Sequence, residues 1–151
     1  EWTEADLPAL REMVAALHDT LRPYDASYPP AREIIGAYFD YLAAEVRETE
    51  GTFLLAEEDG RPVGFLGLFG LMAPFTPDED SAPYTFISDL YVAPACRGRG
   101  VGRALLAQAE ARARALGAPR LELAAHAANP AMALYTRQGF QPRLVIMSKR
   151  L

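Results

Sequence analysis

Apolar residues recur at three- and four-residue intervals in the first fifty positions. Leu7, Leu10, Met13, Val14, Leu17 and Leu21 form one stripe, opened by Thr3 with Asp6 three residues on, the pattern of an N-capped amphipathic helix. Pro23, Pro29 and Pro30 break it, and Ile34, Ile35, Tyr38, Phe39, Leu42 and Val46 predict a second helix before Gly51. The pattern then changes. Residues 52–57 and 63–71 are rich in β-branched and aromatic side chains and flank Asp59-Gly60, a dipeptide that tolerates positive φ, so they predict a hairpin. Residues 72–83 hold three prolines and the acids Asp78, Glu79 and Asp80, which predicts an exposed connection bordering a site or a partner. A third strand follows over 84–92, ended by Pro94. Leu105, Leu106, Ala109, Ala113 and Leu116 mark a third helix closed by Gly117 and Pro119. Residues 121–125 read as a short strand, Pro130 as the first turn of a fourth helix ending near Gly139, and Leu144 to Met147 as a last strand. A hairpin needs antiparallel neighbours and strand–helix–strand crossovers need parallel ones, so the class is α+β with a mixed sheet.

Composition narrows the function. The 151 residues, 50% hydrophobic and 23% charged, suit one domain spanning 1–151. A chain of this size buries roughly 68–70% of its unfolded surface, enough for a core without cross-links. Cys96 is the one cysteine, and with two histidines it makes neither a disulfide framework nor a four-ligand zinc site, so no metal is expected. With no apolar run of bilayer length and no basic-then-apolar leader, a cytoplasmic protein is the expectation. The net charge of −5 argues against a nucleic-acid or membrane-surface binder. Its distribution is uneven: 97–120 carries +5 and the rest of the chain −10, so one segment is suited to an anion. Fourteen arginines against Lys149 alone reflect the coding bias of a GC-rich, bacterial genome rather than function.

Arg97-Gly98-Arg99-Gly100-Val101-Gly102, followed by Arg103, lies between a predicted strand and a predicted helix. Glycines there let backbone amides approach a ligand, and the helix start adds positive potential, a geometry that cradles phosphates. The turn lacks the Gly-Lys-Ser/Thr ending of nucleoside-triphosphate loops and the third glycine of dinucleotide folds. It resembles instead the signature of the GCN5-related N-acetyltransferase (GNAT) family, Arg or Gln, two residues, Gly, one residue, Gly or Ala, through Arg97, Gly100 and Gly102. Residues 87–94, Ile-Ser-Asp-Leu-Tyr-Val-Ala-Pro, are similar to that family's fourth strand. Residues 129–135, Asn-Pro-Ala-Met-Ala-Leu-Tyr, with Gly139-Phe140, are similar to its later helix motif. The glycine turn alone is weak; three blocks in order are specific. The likeness covers nearly the whole chain short of most of the family's first strand, of which Trp2 stands as the end.

The resemblance implies a GNAT fold, a mixed central sheet flanked by about four helices, with the fourth and fifth strands splayed apart. It also implies transfer of an acetyl group from acetyl-CoA to a primary amine by direct attack. The cofactor would lie along Leu90, Tyr91 and Val92, on the turn formed by Arg97, Gly98, Arg99, Gly100, Val101, Gly102 and Arg103, and against Asn129 and Tyr135. Val92 would bond the pantetheine and the Leu90 amide would face the thioester carbonyl. Tyr135 matches the tyrosine that protonates the departing thiolate, although its spacing alone reads equally as a core tyrosine with its hydroxyl at an edge. For the base the sequence leaves Asp89 and Glu122, on the two splayed strands, and His126 just beyond. Asp89 could equally cap or orient backbone. Polyamine acetyltransferases, similar here, carry an acid where this chain has Ser88, so their proton route does not transfer directly. His18 and Cys96 read as structural. Residues 78–80 favour a small cationic amine as acceptor over a protein N-terminus or lysine. The competing classes are a non-catalytic acyl-CoA sensor or interaction module, and a nucleotide-binding protein that uses the arginine turn. No nucleic-acid or membrane partner is expected, and a homodimer stays open.

Overall fold

The computed structural model describes residues 2–25, 27–74 and 82–149. Thr3 closes the expected cap: the Asp6 carboxylate accepts its amide at 2.6 Å and its hydroxyl at 2.9 Å. A 3₁₀ turn over Glu4–Asp6 then leads into α1, Leu7–Leu21. The second stripe forms α2, Ala31–Glu48, whose first amide is taken by the Asp19 carboxylate of α1 at 3.2 Å. β1, Thr52–Glu58, and β2, Arg61–Met72, pair antiparallel around Asp59 and Gly60, both at positive φ, 52° and 73°. These two consecutive positive angles give a turn whose twist matches that of the strands. β3, Tyr84–Val92, lies antiparallel to β2 and parallel to β4, Leu121–Leu123, giving the order β1-β2-β3-β4. α3, Val101–Ala115, crosses between β3 and β4, and α4, Met132–Arg137, follows β4.

The sheet separates two cores. Leu10, Val14, Phe39 and Leu42 of α1 and α2 pack with Phe53 and Phe65, all buried. Leu105, Leu106 and Ala109 of α3 and Tyr135 of α4 pack with Leu66, Leu68 and Ile87. Four helices on a mixed sheet agree with the fold expected from the sequence.

Two irregularities on β3 make the site. First, β4 pairs only Thr85, Phe86 and Ile87; beyond Ile87 and Leu123 the two parallel strands part, which is the splay. Second, Gly67 opposes Asp89 while the next residue of β2, Leu68, opposes Ile87, so Ser88 is an extra residue, a β-bulge. Gly67 makes room for it: a Cβ there would come within 2.4 Å of the Ser88 hydroxyl. Backbone amides alternate between the two edges of a strand, so Thr85 and Ala93 of a regular strand would face one edge. Here the Thr85 amide bonds the Arg120 carbonyl on the β4 side, and the Ala93 amide bonds Val63 of β2. The bulge has shifted the alternation by one. The amides of Leu90 and Val92 therefore face the edge that β4 has left.

Three expectations need correction. Leu144, Val145, Ile146 and Met147 form no strand and are 74–89% exposed. Their composition suits a strand, but a strand exists only as half of a ladder, and this segment lies along no partner among the described residues. β4 stops at Leu123 rather than residue 125, because its neighbour turns away at the bulge. Trp2 belongs to no strand; its ring packs edge-on against Phe53 at 5.4 Å. The acids Asp78, Glu79 and Asp80 lie outside the described residues.

Candidate active site

The glycine turn leaves β3 through a 3₁₀ turn at Pro94–Cys96. Gly98 and Gly100 have φ of 74° and 88°, the left-handed region that a side chain disfavours. The first bond of α3 is donated by Ala104 to the Gly100 carbonyl at 3.0 Å, so the amides of Val101, Gly102 and Arg103 precede the helical ladder and need an outside acceptor. Gly102 serves packing as well: a Cβ there would lie 3.2 Å from Leu134 of α4.

The arginines do different work from the amides. Arg97 donates through Nε to the Val92 carbonyl at 2.9 Å, tying the turn to the end of β3. Arg99 grips both carboxylate oxygens of Glu58 at the end of β1, one at 3.0 Å, and this holds the Glu58 carboxyl below its usual range. The Cys96 thiol lies 3.8 Å from the same carboxylate. Arg103 is exposed on the first turn of α3. A row of amides ahead of the helical ladder, with no partner among the described residues, and a vacated strand edge leading to it fit a diphosphate joined to an amide-bearing arm, the parts of coenzyme A.

Asp89 sits where the edge opens, 6% exposed. The Tyr38 hydroxyl, from α2, donates to both carboxylate oxygens at 3.1 and 3.2 Å. Burial pushes the Asp89 carboxyl up from 3.8 to about 6, against the opposing pull of Ser88 and Tyr38. The bulge accounts for its direction. In regular alternation Asp89 would share the α3 face with Ile87; with Ser88 inserted it turns to the α2 face and meets Tyr38. Tyr135 is buried on α4, edge-on to Phe140 at 6.0 Å. Its phenol is raised by burial and then by the charge of Asp89, so it keeps its proton at neutral pH. Asp89 thus lies within electrostatic reach of three phenols, Tyr38 and Tyr41 of α2 and Tyr135 on the other side of the sheet.

The other candidates stand apart from this group. Glu122 is held by Arg120 Nε at 3.0 Å and Arg143 at 3.4 Å. The Asn129 side-chain oxygen accepts the Ala131 amide at 2.9 Å, just before α4. His126 meets the Tyr28 hydroxyl at 3.2 Å. Tyr38 escaped the sequence reading because it falls in the apolar stripe of α2. The available signal was that a tyrosine on the sheet-facing stripe must find a partner for its hydroxyl. Glu58 gave no signal; its partner Arg99 is 41 residues away.

No helix among the described residues is long and apolar enough to cross a membrane. Residues 13–140 match the model of the acetyltransferase (GNAT) family. An uncharacterised N-acetyltransferase of Bacillus subtilis (strain 168), YhfO, is 30% identical over 128 residues, 84% of this chain and 83% of that protein. An aminoglycoside N(6')-acetyltransferase type 1 of Stenotrophomonas maltophilia is 36% identical over 98 residues, 60% of this chain and 63% of its own. Among solved structures, a GCN5-related N-acetyltransferase from Ralstonia eutropha JMP134 superposes with a TM-score of 0.74 at 25% identity, covering 97% of this chain and 93% of that one. With its splayed strands, its bulged β3 and a glycine turn opening α3, this chain belongs to the GNAT family of acetyltransferases.

Proposed function

We propose that this chain transfers the acetyl group of acetyl-CoA to the nitrogen of a primary amine by direct attack, with Asp89 as base and Tyr135 as acid. One observation carries the reading: a buried carboxylate, pushed up to about 6, stands beside the vacated edge of β3 and within reach of a phenol that holds its proton. A buried carboxylate held at the opened strand edge favours an enzyme over a module that only senses acyl-CoA.

Acetyl-CoA supplies the activated acyl group, and this chain does the rest. Amides of the Gly98–Arg103 turn receive the diphosphate, with Arg103 beside them, while Arg97 and Arg99 brace the turn through Val92 and Glu58. The Val92 amide, on the vacated edge, holds the amide-bearing arm. Tyr91, whose ring packs on Phe65 at 6.5 Å, fixes the strand between them. The Leu90 amide faces the thioester oxygen as negative charge develops there, a contribution typically of ~3 kcal/mol for one such donor. An ammonium has no lone pair, so the acceptor must first lose a proton. Asp89 is ionised at neutral pH and a stronger proton acceptor than an ordinary carboxylate, able to relay the proton onward to solvent, and Tyr38 steadies it through two contacts. Tyr135 donates to the departing sulfur. Glu122, paired with two arginines, secures the end of β4, and Asn129 shapes the start of α4. The acceptor is a small cationic amine and the setting cytoplasmic. Release of free thiol from acetyl-CoA, followed over a panel of primary amines, tests the proposal; coenzyme binding with no amine-dependent thiol release would leave a sensor.

A further inference from the structure

A row of aromatic rings leads away from Tyr38, the residue whose hydroxyl reaches Asp89. Tyr24 stacks on His126 with centroids 6.0 Å apart, and Tyr28 meets the same imidazole edge-on at 5.5 Å. His18 lies 6.3 Å from Tyr28 and 4.4 Å from Tyr38, whose hydroxyl reaches Asp89. These residues come from α1, the α1–α2 connection, α2 and the segment after β4, so the row is a product of the tertiary fold. Tyr24, Tyr28 and His126 are only half-buried, which leaves ring surface open.

We infer that this row is an acceptor cage for a primary amine carried on a flat aromatic body, an arylalkylamine, with Asp89 at its inner end; the inference rests on the acetyltransferase reading above. Two of the wall's hydroxyls are engaged within it, Tyr28 with His126 at 3.2 Å and Tyr38 with Asp89. What it presents to a ligand is chiefly ring carbon, with the His18 nitrogens as the polar exception. Such surfaces attract an ammonium through their quadrupoles and stack on an aromatic body. A single carboxylate at the inner end matches a single amine. A polyhydroxylated polyamine or an amino acid would bring many donors, or a carboxylate, against rings with little left to pair them. His18 adds a second sign of a ligand site. It is 5% exposed, and neither ring nitrogen has a hydrogen-bond partner among the described residues. Buried polar atoms are seldom left so without a reason.

The test is the specificity constant for 2-phenylethylamine, tryptamine, kanamycin and L-2,4-diaminobutyrate with the wild-type chain and acetyl-CoA. The arylalkylamines should lead. Tyr28→Leu should raise KM for 2-phenylethylamine roughly 5- to 30-fold, the loss of one ring contact, with a smaller change in kcat. Tyr28→Phe, which keeps the ring and removes the bond to His126, should restore KM. Acetyl-CoA affinity by calorimetry should be the same in all three proteins. A higher specificity constant for kanamycin or diaminobutyrate, or equal KM values for the Leu and Phe variants, would overturn the cage. If no amine is turned over, calorimetric titration of 2-phenylethylamine into the coenzyme A complex decides, and absence of binding refutes the inference. Failure to bind acetyl-CoA at all would instead refute the reading beneath it.

Discussion

Replacing Asp89 with Asn should make the protein more stable and nearly inactive. The folded state holds the Asp89 carboxyl at about 6 against an ordinary 3.8, chiefly through burial. At about 1.4 kcal/mol for each pH unit, the ionised group destabilises the fold by about 3 kcal/mol at neutral pH. Asn removes the charge and keeps an oxygen for Tyr38, but its new amide hydrogens lack an assured acceptor, which returns about 1 kcal/mol. The net gain of about 2 kcal/mol corresponds to a rise in Tm of about 4–8 °C for a chain of this length. The sign depends on pH. A carboxyl raised by folding binds its proton more tightly in the native state, so the destabilisation is absent below the unfolded value near 3.8 and complete above about 6. Thermal unfolding of both proteins from pH 4 to 8 should show Tm curves that nearly meet at the acid end and separate through pH 6. At pH 7.5 the variant should lose about 10²-fold or more in amine-dependent thiol release. A lower Tm for Asn at neutral pH, or a difference that ignores pH, would refute the assignment of a destabilised carboxylate. Full activity would refute its role as base.

Tyr135→Phe should lower turnover by about 10²–10⁴-fold with coenzyme affinity and Tm nearly unchanged, because the ring stays in the core; acyl donors with a more acidic thiol should narrow the deficit in a turnover assay. Gly100→Val should weaken acetyl-CoA binding in calorimetry, since φ of 88° disfavours any side chain by about 1–2 kcal/mol and the turn would have to relax. Asn129→Ala should remove the bond to the Ala131 amide and lower Tm by about 3 °C, for a loss of about 1 kcal/mol, and a thermal melt alongside a coenzyme titration would separate this from a direct cofactor contact.

Features set by neighbours in the chain were legible in the sequence. Thr3 and Asp6, Asp59-Gly60 and the glycine turn each announce a local geometry through a few adjacent residues, and each appears as read. Features set by distant partners were not. The bulge exists because Gly67, on another strand, gives Ser88 a place, so no alternation read along β3 alone could reveal which way Asp89 points. Tyr38 and Asp89 are 51 residues apart, and an apolar stripe disguises the first as core. Leu144 to Met147 have the composition of a strand, yet pairing decides, and composition is silent about pairing. His126 was placed near the cleft by its position after a strand, while its ring partners Tyr24 and Tyr28 lay in a connection that reads only as a proline-rich break.

The arrangement of the turn has a consequence in salt. Attraction between free charges is screened over about 10 Å at 0.1 M ionic strength and about 3 Å at 1 M. Two of the turn's arginines, though exposed, are bonded within the protein, Arg97 to a carbonyl and Arg99 to Glu58, so they brace the turn, and the charge of Arg99 is matched by a carboxylate. Besides Arg103, the groups left to meet a diphosphate are backbone amides, which act at contact distance, where screening is weakest. A site built on arginine heads alone would lose its hold as counter-ions accumulate; one built largely on amides should lose less of it as ionic strength rises.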